Sequence, residues 1–288
     1  MRTPRLADLL AAELLKVRNR WLLYALLLPV VALLAMQTFA GYFAGWRHDH
    51  DIEALRWSVL PSALPSMLDL LQYLGSIAFS IVAASAVATE YSWGTARQML
   101  IRGLTREQYL ATKLLGLAVV CAAGFLLVLA LALIFSASVT VLEDRRPPGA
   151  SGAEAVLMVL RAAYGILPYV LLAFALAVVG RSTTLGVGGI LIFIVGESIV
   201  LAILTGIGGG AADARAFFLG HNVAAVLAAN RFYPTDAISL APRPPLEASE
   251  LPDAAAGAVV IALYCAAFLA VAFWVFRTRD LGTEAGGS

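Results

Sequence analysis

Residues 114–142 read LLGLAVVCAAGFLLVLALALIFSASVTVL, without one charged side chain. A bilayer-crossing helix needs about 20 consecutive, mostly apolar residues. The run exceeds that length, so its reading decides the fold. Five more such runs occupy 21–46, 70–89, 162–180, 182–212 and 254–276, and only Glu197 interrupts the fifth of the six in chain order. Period-two alternation is absent, which excludes barrel strands. Open strands cannot cross lipid, because their backbone groups would lack partners. The expectation is an all-α, polytopic membrane protein with six transmembrane helices. Composition agrees: of 288 residues, 61% are hydrophobic and 14% charged, with mean hydropathy +0.85. Soluble domains run near 45–50% apolar and about 25% charged.

Directly before the opening run stands EYSWGTARQMLIRGLTREQYLATK, residues 90–113. Residues 95–102 have helical propensity, and Gly103 supplies a left-handed stop. Thr105-Arg-Glu-Gln108 has capping-box spacing and starts the third span. Met99, Leu100 and Ile101 are then apolar residues left outside the bilayer among arginines. Methionine, aromatics and arginine are enriched where proteins dock on one another, so this loop reads as a docking segment. A membrane-surface loop with snorkelling arginines is the plainer alternative.

At the N-terminus, Thr3 can cap a helix and Pro4 suits its first position. Leu6, Leu9, Leu10, Leu14 and Val17 recur at helical spacing, opposite Arg5, Asp8, Lys16 and Asn19. Residues 3–19 therefore read as an amphipathic elbow helix on the inner leaflet, or else as an extension of the first span. The first apolar run is too long for a cleavable signal, and no small-residue cleavage site follows it.

With the N-terminus inside, twelve basic residues fall on inner segments and eight on outer ones. The positive-inside tendency then places both termini in the cytoplasm. Ser151-Gly-Ala-Glu154 is a second capping box, opening the fourth helix, and Gly180 stands where a C′ glycine would close it. Pro29 and Pro168 fall within spans. Residues 208–253 form a long outer loop. Within it, 217–229 is too short and too polar to span, which suits a short re-entrant or surface helix.

Little catalytic chemistry is visible. The chain has two lysines, Lys16 and Lys113, and neither follows a glycine-rich loop, so no nucleotide-binding Walker A motif exists. HExxH and GxSxG are absent. His48 and His50 lie in an outer loop without further ligands nearby, and Cys121 and Cys265 read as small apolar packing residues. A formal net charge of +1 gives no case for nucleic acid. Glu197 is the one charge inside a span. Intramembrane carboxylates are costly and functional by default. Glu197 either lies on a substrate or proton path or makes a structural hydrogen bond between helices.

Glu13-Leu-Leu-Lys16-Val-Arg18, just before the first span, resembles the opening of type-2 ABC transporter permeases. The stretch from Glu90 through Gly94, Arg97, Arg102, Gly103 and Arg106 to Tyr109 and Lys113 is similar to that family's loop between the second and third helices. The resemblance implies one permease domain over 1–288, without catalysis or cofactor of its own. A separate ATP-binding cassette subunit would carry ATP and Mg. It implies an elbow helix holding Glu13 and Lys16, and a coupling loop at 91–112. Met99, Leu100, Arg102 and Arg106 would meet the ATPase. It further implies export across the plasma (inner) membrane, paired with a second copy or a related permease. Members of that family usually export drugs, antibiotics, peptides, lipids or polysaccharides, and some are linked to ions. A proton-coupled secondary transporter using Glu197, and a non-transporting membrane scaffold, are the competing readings.

Overall fold

The computed structural model describes residues 15–16, 21–47, 55, 57–101, 105–144, 150–207, 213–230 and 251–278. Among the described residues eight α-helices follow one another: α1 (Trp21–Arg47), α2 (Leu64–Ser92), α3 (Thr95–Ile101), α4 (Arg106–Glu143), α5 (Gly152–Gly180), α6 (Thr183–Ile207), α7 (Leu219–Ala228) and α8 (Ala254–Thr278). A 3-10 turn, Ala214–Phe217, precedes α7. No strand occurs among the described residues. Six helices, α1, α2, α4, α5, α6 and α8, are long and apolar enough to cross a membrane. The protein is an all-helical, polytopic membrane protein.

Both capping boxes form. The Thr105 side chain accepts from the Gln108 N–H at 3.1 Å, while Gln108 Oε1 accepts from the Thr105 N–H at 3.2 Å. Ser151 and Glu154 make the same reciprocal pair at 3.4 and 3.0 Å. These caps set the starts of α4 and α5 outside the uncharged runs. At 1.5 Å per residue, the 38 residues of α4 give a rod of about 57 Å, well beyond the ~30 Å apolar layer.

The end of α5 departs from expectation. Gly180 is still helical, and the left-handed residue is Arg181, with φ 49°. A Cβ on Gly180 would lie 2.2 Å from Leu185 Cδ2. The glycine therefore serves the close turn from α5 into α6. Gly94, between α2 and α3, does take a positive φ of 67°. Gly103 and nearly all of the expected elbow helix, including Glu13, lie outside the described residues.

Helices α2 and α5 form the buried centre, while α1, α6 and α8 turn broad apolar faces outward. Small side chains such as Ala83, Ala84, Ala173 and Ala177 let the central pair approach closely. At Gly186 of α6, a Cβ would sit 2.7 Å from that of Ala84 and 3.0 Å from that of Ala177. Glycine there lets α6 reach both central helices.

Candidate functional site: an ion-pair knot and a polar cavity

Glu90 closes the last turn of α2 and is 4% exposed. Lys113 Nζ lies 2.6 Å and Lys16 Nζ 3.1 Å from its Oε1. The Tyr109 hydroxyl donates to Oε2. Tyr109 and Lys113 stand four residues apart on α4, so one helix face delivers both. The remaining contacts widen the knot. Tyr109 stacks on Phe276 of α8, with centroids 5.4 Å apart and planes 13° apart. The Arg106 guanidinium donates to the carbonyls of Arg277 at 2.7 Å and Phe276 at 3.3 Å. A cation on the last carbonyls of a helix complements its dipole. The Thr95 hydroxyl donates to the Glu90 carbonyl at 3.3 Å, tying α3 to α2. One end of the bundle is thereby joined across α2, α3, α4, α8 and Lys16.

Met99 is half-buried and packs against the hydrophobic core rather than standing free. Ile101, on α3, is 75% exposed, and Trp93, before α3, is exposed too. Arg106 serves as an interhelical tie. The Leu100 side chain and Arg102 lie outside what is described.

Glu197 of α6 is 9% exposed. Its Oε1 accepts from the Gly220 N–H at 2.9 Å, and the Leu219 N–H also bonds the carboxylate. These are the first amides of α7. Phe218, at the N-cap, has no side-chain cap of its own, so Glu197 supplies one from another helix. At the far end of α7, the Arg161 guanidinium of α5 donates to the Ala229 carbonyl at 3.0 Å and to Asn230 Oδ1 at 2.9 Å. An acid at the N-terminus and a base at the C-terminus match both poles of the helix dipole. The clamped helix is sunk in the bundle, with Leu219, Val223 and Leu227 fully buried. Glu197 stands roughly three turns inside α6. The short helix expected in the outer loop is therefore packed among α5, α6 and α8.

Beside Glu197 lies a cavity of about 40 Å³, lined by Gln72, Ser76, Tyr169, Ser198 and Gly220 among others. No group of three or more His, Cys, Asp or Glu side chains suited to a metal occurs among the described residues.

A family model described as "Protein of unknown function (DUF2705)" matches residues 52–282. The chain belongs to the DUF2705 family. None of the curated proteins matches it. The stretch matched in this DUF2705 chain includes Glu90, Tyr109, Lys113, Arg161 and Glu197, and begins after Lys16.

The sequence of the DUF2705 chain holds Glu90, Tyr109 and Lys113 in one stretch without indicating a joint role, and nothing in it singles out Arg161. One signal was available: the chain's two lysines both stand at the same end of the spans. Nothing local to Arg161 or Glu197 shows that they hold opposite ends of one helix.

Proposed function

We propose that this protein is the membrane-spanning subunit of an ABC-type exporter, driven by ATP hydrolysed on a separate cassette subunit. In this reading it lies in the plasma membrane with both termini inside, beside a second copy or a related permease. The observation that supports it is the knot at Glu90. The two stretches that carry the family resemblance meet there, Lys16 from one and Glu90, Tyr109 and Lys113 from the other. A coupling helix must pass force into the bundle rather than swing on a loose loop. α3 is tied through Glu90 to α2 and α4, and the same knot reaches α8 through Phe276.

The test is purification of the tagged chain from its native cells, with a cassette ATPase expected among the proteins that come with it. Co-purification and substrate-stimulated hydrolysis are expected. Ile101→Asp should abolish both while the chain still inserts, since an apolar anchor at an interface is commonly worth about 2 kcal/mol or more. Unchanged association and unchanged hydrolysis in Ile101→Asp would remove α3 as the docking element.

Proton-coupled transport is the second reading, favoured by a buried carboxylate beside a polar cavity. Transport in vesicles separates the two. Uptake that follows a pH gradient, ignores ATP and disappears in Glu197→Gln would overturn the exporter reading.

A further inference from the structure

We propose that the groove between α5, α7 and α8 binds one phospholipid whose headgroup carries both a phosphate and a primary ammonium. The groove has a volume of about 780 Å³, within the usual range of ligand sites. Its walls include Arg161 and Tyr164 of α5, Val226 of α7, Asp253 just before α8, and Ala255 and Ala258 of α8. It lies where α8 begins, and α8 ends at the knot, so groove and knot occupy opposite ends of the bundle.

The two charged residues of the groove select the headgroup. No ion pair joins Arg161 to Asp253 among the described residues. The Arg161 guanidinium uses Nη1 for both the Ala229 carbonyl and Asn230 Oδ1. Its Nε and Nη2 donors have no protein partner among the described residues, and such a fork matches phosphate oxygens. Asp253 Oδ2 accepts from the Ala255 N–H at 3.0 Å. That single bond leaves most of the acceptor capacity of the carboxylate open, which suits an ammonium. A headgroup with a phosphate and no cation would face Asp253 with a like charge.

Depth and the apolar walls select a lipid over a soluble phosphate. The 25 residues of α8 extend about 37 Å against an apolar layer of ~30 Å, so its first turn stands at headgroup level. The Tyr164 hydroxyl donates to the Ala258 carbonyl at 2.7 Å, joining α5 to α8. Arg161 precedes Tyr164 by one turn, as Asp253 and Ala254 precede Ala258, and both helices run from this end towards the knot. The cation and the anion therefore share one layer. One turn deeper on the same faces, Leu167 is 47% exposed and Ala262 is exposed as well. An acyl chain can follow these side chains from the headgroup into the hydrocarbon.

The inference requires the membrane placement and not the exporter reading, and its test needs no ATPase. The purified full-length chain in detergent is titrated with phosphatidylethanolamine, phosphatidylglycerol or phosphatidylcholine of matched chains, and bound lipid is counted by native mass spectrometry. One ethanolamine lipid per chain is expected, favoured about threefold over the glycerol lipid, as a partly solvated ion pair allows. The choline lipid, with no N–H to donate, should fall between them. Asp253→Asn should erase the preference. Ala255→Trp fills the groove while keeping both charged residues, and should weaken binding of the ethanolamine lipid by about tenfold or more. Arg161 is kept intact because it also holds α7. Asp253 is exposed, so Asp253→Asn decides the matter if Ala255→Trp does not fold. Equal counts of the three lipids, unchanged in Asp253→Asn, would show an unselective lipid shell and overturn the proposal. Glycerophosphoethanolamine, the same headgroup without chains, should not compete at millimolar concentration, and competition would make the groove a site for a soluble phosphate ester. Ala255→Trp that halves the native mass and leaves the lipid count unchanged would make the groove a contact between two copies, which also overturns it.

Discussion

Glu90 is held by two ammonium groups and a phenol, and the three differ in how far water can replace them. Lys113 is 5% exposed, so removing the carboxylate takes the opposing charge away from a buried ammonium. Breaking one side of such a pair costs about 3–5 kcal/mol. Glu90→Gln is therefore expected to lower the thermal midpoint of the purified chain strongly. Glu90→Gln combined with Lys113→Met should recover much of that loss, because both buried charges are then gone. The Lys16 side chain is 37% exposed. Lys16→Met should cost no more than about 1 kcal/mol, as partly solvated pairs do. A midpoint lowered more by Lys16→Met than by Glu90→Gln would show that the knot is ordered differently.

Helix α7 depends on charges that belong to its neighbours. Glu197→Gln keeps a carbonyl oxygen for the Gly220 amide and loses only the charge. Glu197→Ala leaves buried amides without an acceptor, at about 1–3 kcal/mol each. Hydrogen exchange across 219–228 should rise slightly in the first variant and strongly in the second. Arg161→Ala should loosen the same helix from its other end, and equal protection in all three variants would contradict the clamp. Packing at α6 gives a second test. Gly186→Val would drive a side chain into Ala84 and Ala177, at about 1–3 kcal/mol. The contrast with what could be read beforehand is physical. The spans and both capping boxes depend on residues within a few positions of one another, so the linear pattern contains them. The clamp joins Arg161 to Asn230 and Glu197 to Gly220, and the knot joins Lys16 to Glu90 across 74 positions. Pairings at such separations follow from how the helices pack, which periodicity does not encode. Arg181 shows the same limit at short range: the left-handed residue stands one position past the expected glycine, while Gly180 leaves room for Leu185.

The whole bundle sorts its helices by burial, and its two ends by charge. Cysteine at Gly152, where a Cβ meets nothing within 4 Å, should be labelled by an impermeant reagent in sealed cells. Cysteine replacing the exposed Glu107 should react only after permeabilisation. Labelling of position 107 in sealed cells would reverse the orientation expected from the basic residues. Leu28 of α1, Ile192 of α6 and Leu263 of α8 stand on outward apolar faces. On the exporter proposal, native mass of the extracted protein should show two such chains per particle, and a single chain with full activity would refute the pairing. The three charges of the knot are also ordered in time. A ribosome makes Lys16 before the first span, Glu90 at the end of the second, and Lys113 at the start of the third. When the first two helices leave the translocon, Glu90 has only the half-solvated Lys16 for company. The buried ammonium arrives with α4, so the junction closes at the third insertion step. A nascent chain arrested before residue 113 therefore carries an unfinished junction.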